Sequence, residues 1–105
     1  MITEEDINKA YMALAQTKQG LYSASLRVIE AQRVLAERKI ELFKEGMIDG
    51  KNEETRKAQI IEFTVDEIDA VNKAEDAVRA IQVDHELVSY EVARLRMIID
   101  WTKGA

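Results

Sequence analysis

Gly46, Gly50 and Lys51 form the arrangement in this sequence that comes nearest to a phosphate-binding loop. Such a loop has four residues between its glycines, a serine or threonine after the lysine to hold magnesium, and a strand before it. Here three residues separate the two glycines, and Asn52 follows the lysine. The residue types instead favour a turn in which glycine ends one helix and Asn52 begins the next.

His85 is the only histidine, and the chain has no cysteine. A pair of histidine ligands, a thiolate metal site, a disulfide and a cysteine nucleophile are therefore excluded. A di-metal carboxylate bundle has a glutamate three residues before its histidine, where this sequence has Gln82. The three serines of this chain have no histidine or lysine placed to activate them as nucleophiles. We therefore predict that the protein is not an enzyme and has no catalytic residue, cofactor or metal site.

The overall charge argues against nucleic acid and membranes as direct partners. Twenty acidic residues against fifteen basic ones give a formal net charge of −5 over 105 residues, whereas binding to either polyanionic surface uses a basic face. The apolar runs are far shorter than the roughly 20 residues that span a bilayer. Glu4, Glu5 and Asp6 at the N-terminus do not follow the order of a secretory signal. We expect a soluble, cytoplasmic protein with a single domain over 1–105.

The spacing of apolar residues predicts a first helix over 3–45, with Thr3 as its N-cap and three acidic residues in its first turn. Leucine, isoleucine or valine recurs every seven residues, which is typical of helices that coil about one another. At most of the positions three residues further on, the residue is small, which allows a neighbouring helix to approach closely. Gly20 indicates a close crossing of two helices. We call this set the inner stripe of the first helix: Ile7, Ala10, Leu14, Thr17, Leu21, Ala24, Val28, Ala31, Leu35, Arg38 and Leu42. A second row of residues widens the apolar face of the first helix toward the turn: Tyr22, Ile29, Ala36 and Phe43.

After a turn over 46–51, the second arm opens at Asn52 and has an inner stripe of its own. Thr64 and Glu67 match a capping box, and the apolar residues near Phe63 fall outside the register. A break near 63–65 explains both observations and gives helices over 53–63 and 65–102; a continuous helix with a local slip of register is the alternative. The inner stripe of the second arm is Val71, Ala74, Val78, Ile81, His85, Val88, Val92, Leu95 and Ile99.

These elements predict an all-α, antiparallel helical hairpin that resembles a coiled coil. Because two thin helices bury little surface, we expect two hairpins to pair into a homo-dimer or higher homo-oligomer resembling a four-helix bundle. His85 is the polar residue of its inner stripe, and such a residue fixes register or partner number. If His85 is buried and neutral, stability falls near about pH 6. Near the C-terminus, an apolar group either contacts the second copy or covers the core of its own chain: Met97, Ile98, Ile99 and Trp101.

Two surfaces are candidates for binding another protein. Residues 62–91 hold nine acidic side chains against two basic ones, which is usual for a solvated face but also suits docking onto a basic partner through Asp69 and Asp76. The hairpin tip, with Lys51, Asn52 and Arg56, either serves only to fix the turn or contacts a partner.

The turn also carries a resemblance. Its glycines, Ile48, Lys51 and Asn52, followed by the segment 56–59 and by Phe63 and Thr64, resemble small uncharacterised proteins of bacteriophages and prophages. Those proteins also look like two long helices around a Gly-x-Ile-x-Gly-Lys-Asn turn. The resemblance implies a phage or prophage origin, with location in the host cytoplasm, and no catalytic activity.

The function predicted from the sequence is therefore that of a non-enzymatic, self-associating structural or interaction protein. The alternative is an acidic inhibitor that docks on a host nucleic-acid-binding or defence protein.

Overall fold

A computed structural model describes residues 1–104 and shows an all-α helical hairpin. Its helices are α1 (Glu4–Lys44), α2 (Glu53–Phe63) and α3 (Val65–Gly104), and the described residues contain no strand. The predicted fold class is confirmed, and the second arm is broken rather than continuous. Helix α3 extends two residues beyond the predicted end at 102.

The N-terminus of α1 is fixed by two reciprocal hydrogen bonds. The Thr3 amide donates to Asp6 Oδ2 at 2.9 Å, and the Asp6 amide donates to Thr3 Oγ1 at 3.2 Å. Together they satisfy amides that a helix start leaves without partners. The Thr3 amide and hydroxyl, with a smaller contribution from Lys9, lower the pKa of the Asp6 carboxyl from its ordinary value of 3.8.

Gly46 ends α1. Its φ of 71° lies in the left-handed region that glycine adopts without a Cβ clash. The Gly46 amide donates to the Phe43 carbonyl at 3.2 Å, and the Met47 amide donates to the Leu42 carbonyl at 3.0 Å. This pair of bonds is a Schellman motif, which satisfies two of the last carbonyls of the helix.

Thr64 separates α2 from α3. Its amide donates to the Ile61 carbonyl at 3.3 Å and its hydroxyl donates to the Ile60 carbonyl at 2.5 Å, while its own carbonyl accepts from Ile68 at 2.9 Å. The predicted capping box with Glu67 is wrong, because the Thr64 hydroxyl turns back onto α2 instead of accepting from the Glu67 amide. A threonine that bonds its preceding turn in this way bends a helix.

By contacts, the chain forms two compact units: unit 1 joins Met1–Ser23 to the chain from Ala77 onward, and unit 2 is Ala24–Asp76. In unit 1 the start of α1 packs antiparallel on the end of α3. The Thr17 and His85 side chains meet nearer the middle of the helices, and those of Tyr11 and Arg96 meet further out. The core of unit 1 is Ala10, Val92 and Leu95, with Ile2 and Leu14 against it.

Unit 2 contains the end of α1, the turn, α2 and the start of α3. Leu42 and Thr64 are its completely buried side chains, and Ala24 is almost completely buried. In both units every predicted inner-stripe residue is buried or half-buried, so both predicted stripes are confirmed. The crossing expected at Gly20 is not so close that it requires glycine. A Cβ added there would lie 3.8 Å from Ile81 Cγ2, which is ordinary van der Waals contact.

Candidate interaction surfaces

The described residues contain no group of three or more His, Asp or Glu side chains that could hold a metal ion. The Ser89 hydroxyl donates to the His85 carbonyl one helical turn earlier, at 2.8 Å. None of the helices in residues 1–104 combines the length and the hydropathy that crossing a membrane requires.

His85 meets Thr17 within its own chain. Its Nδ1 atom lies 3.0 Å from Thr17 Oγ1, and the same hydroxyl donates to the Leu14 carbonyl at 3.0 Å. With the hydroxyl proton directed at Leu14, the Nδ1–H tautomer of His85 donates to Thr17. His85 thus has a polar partner within unit 1, where both side chains are half-buried, and its predicted place at an interface between copies stays a prediction.

The hairpin tip is held together by polar bonds across the turn. Asn52 Oδ1 accepts from the Thr55 amide at 2.8 Å and caps α2 as predicted. Gln59 Oε1 accepts from the Gly50 amide at 2.9 Å, and Gln59 Nε2 donates to Asp49 at 2.7 Å. These bonds tie the turn to the second turn of α2.

Arg56 also belongs to this internal network, since its guanidinium donates to the Gly50 carbonyl at 3.2 Å. Of the three tip residues predicted to bind a partner, Asn52 and Arg56 thus stabilise the turn itself. The Lys51 side chain is exposed. The structure therefore favours the structural alternative for two of the three residues. Sequence reasoning missed Gln59 and Asp49, whose contact spans ten residues.

The acidic run begins in unit 2. Asp69 forms an ion pair of 2.9 Å with Lys73 one turn along α3, and this contact raises the pKa of the lysine. Asp76 is exposed and also takes part in an interaction of its own. Exposed pairs of this kind contribute only a few tenths of a kcal/mol. The two residues remain on the surface, where a basic partner can reach them.

Helix α3 carries a second apolar row that the inner stripe does not include. Its members recur in alternating steps of four and three residues, and Arg94 is the charged member. Exposure of the apolar members runs from 56% at Val83 to 82% at Trp101. Arg94 donates to both oxygens of Glu91, at 2.9 and 2.6 Å, and so lowers the pKa of that carboxyl. We call this row the outer stripe of α3: Val83, Leu87, Tyr90, Arg94, Met97 and Trp101.

The part of α1 within unit 2 has an outer stripe with the same spacing. Its charged member, Arg33, bonds Glu30 and Glu37 on neighbouring turns. Sequence reasoning had identified Ile29, Ala36 and Phe43 as an additional apolar row, and all three are exposed. The outer stripe of α1 is Leu26, Ile29, Arg33, Ala36, Ile40 and Phe43.

The predicted C-terminal contact residues take different positions. Ile98 and Ile99 line an open hollow of about 510 Å³ together with Met1 and Ile2. Met97 and Trp101 instead point outward, with 73% and 82% of their surface exposed. Ile98 is 38% exposed and Ile99 is half-buried, so the two predicted alternatives for this segment both stay open.

Comparison of the chain with protein-family models, with curated proteins and with solved structures finds no match.

Proposed function

We propose that this protein is a non-enzymatic helical protein that self-associates and acts as a structural or interaction protein. A phage or prophage origin is part of the proposal and is supported by the resemblance of the turn at 46–52. The observation that carries the proposal is the pair of exposed apolar outer stripes, one on each long helix. Single soluble chains rarely expose contiguous apolar patches larger than a few hundred Å² unless another molecule covers them.

The small buried core supports the same proposal. The buried apolar residues of the described chain are three alanine, valine or leucine side chains in unit 1 and two in unit 2. Small domains bury a low fraction of their surface and are only marginally stable alone. Covering an outer stripe with a second copy adds apolar burial at about 25 cal/mol per Å².

The inner stripes can supply little of this interface, because their residues are already buried or half-buried within the chain. The outer faces of the helices therefore offer a second copy the larger apolar surface. Pairing of two hairpins through outer faces gives an assembly of four long helices, which agrees with the bundle expected from the sequence.

Sedimentation equilibrium and light scattering across a wide concentration range test the proposal. We expect a mass of twice the chain mass of 12.0 kDa, or a higher multiple, at micromolar concentration. A mass of one chain over the whole range would contradict self-association. Circular dichroism in the same samples controls for folding, since a folded chain is strongly helical.

A second candidate is an acidic inhibitor that docks on a host nucleic-acid-binding or defence protein. The exposed carboxylates at the start of α3 support it, because only Lys73 and Arg79 offset the acidic residues of 62–91. Reversing Asp69 and Asp76 to lysine should abolish capture of such a partner without changing the mass of the assembly. The matched control is Lys51→Glu, at the tip, which should leave capture unchanged. Loss of capture only with the tip variant would contradict this candidate.

A further inference from the structure

The outer stripe of α3 has a form suited to pairing with itself. Resting on the self-association proposed above, we propose that this stripe packs against the same stripe of a second copy. The two α3 helices run antiparallel, with a twofold axis beside residues 91–93. The occupant of the stripe is thus a second copy of this chain.

The spacing of the stripe is the first argument. Its steps of four, three, four, three and four residues read the same in both directions, as a twofold-symmetric pairing of one segment with itself requires. Antiparallel overlay sets Leu87 opposite Met97, and it sets the smallest end residue, Val83, opposite the largest, Trp101. Pairing large side chains with small ones fills the space between helices evenly.

Arg94 is the second argument, because it decides the direction of the helices. Parallel pairing in register would place Arg94 against Arg94 of the other copy, which is repulsive. Antiparallel pairing places it opposite Tyr90 instead. Glu91 already holds the guanidinium at 2.6 and 2.9 Å, and a cation–π contact with the tyrosine ring of the second copy would be favourable at this position. Arg96 makes a contact of this kind within the chain, 5.5 Å from the Tyr11 ring centre.

The distribution of charge is the third argument. Residues 83–91 contain three acidic residues and no lysine or arginine, whereas residues 93–103 contain three basic residues and one acidic residue. Antiparallel pairing brings the net negative half of each helix beside the net positive half of the other, with the exception that Asp100, the acidic residue of the positive half, then lies near Glu86. Complementary charge at an interface selects orientation and suppresses the wrong arrangement.

The available area is the fourth argument. The exposed parts of the five apolar side chains amount to roughly 700 Å² per copy, which is the most that they can contribute to the area of ~800 Å² that a standard interface takes from each partner. Tyrosine, tryptophan, methionine and arginine are also the residues enriched in interface cores and among the side chains that dominate binding energy. Four of the six members of the stripe are of these types.

The outer stripe of α1 is the competing surface, and its charge pattern suits self-pairing less well. Residues 26–32 contain one basic and one acidic residue, and residues 33–43 contain three basic and two acidic residues. Antiparallel self-pairing of α1 therefore brings no opposite charges together. Phe43 is its only aromatic member.

Disulfide cross-linking tests both the surface and the direction, because the natural chain has no cysteine. Ala93→Cys lies beside the proposed axis and should form a covalent dimer on oxidation. Glu86→Cys and Asp100→Cys should each stay monomeric alone but link to each other when mixed. Self-linking of Glu86→Cys and of Asp100→Cys would show parallel helices and overturn the proposal. Linking of Ala36→Cys, on the outer stripe of α1, without linking of Ala93→Cys would also overturn it.

A matched pair of substitutions separates this inference from the proposed function. Leu87 and Ile29 are both 61% exposed and lie on the outer stripes of α3 and α1. By sedimentation, Leu87→Glu should raise the dissociation constant of the dimer at least about tenfold, whereas Ile29→Glu should leave it unchanged. The reverse result overturns the inference and leaves self-association intact. If the natural chain sediments as a monomer, both the pairing of α3 helices and the proposed self-association are overturned.

Discussion

The contact between Thr17 and His85 shows how one polar pair can align two long helices. Apolar inner-stripe residues tolerate a shift of one heptad, since a leucine or valine meets a similar residue in the new register. The half-buried imidazole loses its Thr17 partner in any such shift. The cost of leaving a polar group unpaired therefore favours the observed register.

We predict that Thr17 and His85 are energetically coupled. Thr17→Val should lower the free energy of unfolding by about 1 kcal/mol, because it removes a neutral hydrogen bond at a half-buried site. His85→Leu should make the threonine substitution nearly neutral, which gives a coupling energy of about 0.5–1.5 kcal/mol in a double-mutant cycle. Urea unfolding of the four proteins at one concentration measures it.

Additive effects of the two substitutions would contradict this role of the pair. Sedimentation of His85→Leu provides the control for the role expected from the sequence, in which this histidine fixes the number of copies. Because its partner lies in the same chain, the mass of the assembly should not change. A changed mass would return His85 to the interface between copies.

At the scale of the element, the turn between α1 and α2 depends on its two glycines for different reasons. Gly46 supplies a left-handed backbone conformation, and a Cβ placed there would meet nothing within 4 Å. Gly50 supplies space, since a Cβ there would lie 2.8 Å from Thr55 Cγ2 and 3.0 Å from the Arg56 amide nitrogen. Gly46 is therefore required by its backbone dihedral angle, and Gly50 is required because no side chain fits there.

This difference predicts a ranking of substitutions. Gly50→Ala should lower the free energy of unfolding by about 1–3 kcal/mol, because the neighbouring backbone of α2 cannot yield. Gly46→Ala should cost about 1 kcal/mol through the left-handed conformation alone, and Gly46→Asn should recover part of that loss. Gly104→Ala, where nothing lies within 4 Å of the added Cβ, is the control. Chemical unfolding measures all four, and equal costs at positions 46 and 50 would contradict the assignment.

Local signals made the elements predictable from the sequence. Thr3, Gly46 and Asn52 end or begin helices through contacts within five residues, and the heptad spacing shows the inner stripes directly. The break at Thr64 was also visible, from apolar residues that leave the register. The hydrogen bonds that make the break were not visible, since a threonine hydroxyl can bond forward to α3 or backward to α2, and the structure shows the backward bond to the Ile60 carbonyl.

Features that depend on distant contacts were not predictable. The bonds of Gln59 to Gly50 and Asp49 join residues nine and ten positions apart, and no pattern in the sequence indicates them. Gly20 suggested a close crossing because its type permits one, but the opposite residue leaves room for a Cβ. The outer stripe of α3 was visible in the spacing, and only its C-terminal members, Met97 and Trp101, were recognised as contact residues.

At the scale of the whole molecule, the apolar surface is divided between inner stripes that are covered and outer stripes that are not. A protein with this division gains stability when copies associate, because binding to the folded state alone shifts the unfolding equilibrium. Its thermal stability should therefore depend on concentration. The thermal stability of a protein that folds and remains a monomer does not depend on concentration in this way.

We predict that the melting temperature of the natural chain rises by a few degrees for each tenfold increase in concentration. The reason is mass action: a tenfold increase contributes about 1.4 kcal/mol per dimer, and 1 kcal/mol shifts the melting temperature of a domain of this size by about 4–8 °C. Circular dichroism melts over a hundredfold range measure it. Leu87→Glu should melt below the natural chain wherever the natural chain is dimeric, because its dimer is weaker, while Ile29→Glu should keep the natural profile. A Leu87→Glu profile identical to that of the natural chain would locate the stabilising interface away from the outer stripe of α3, and a flat profile for the natural chain would mean that its folded state needs no second copy.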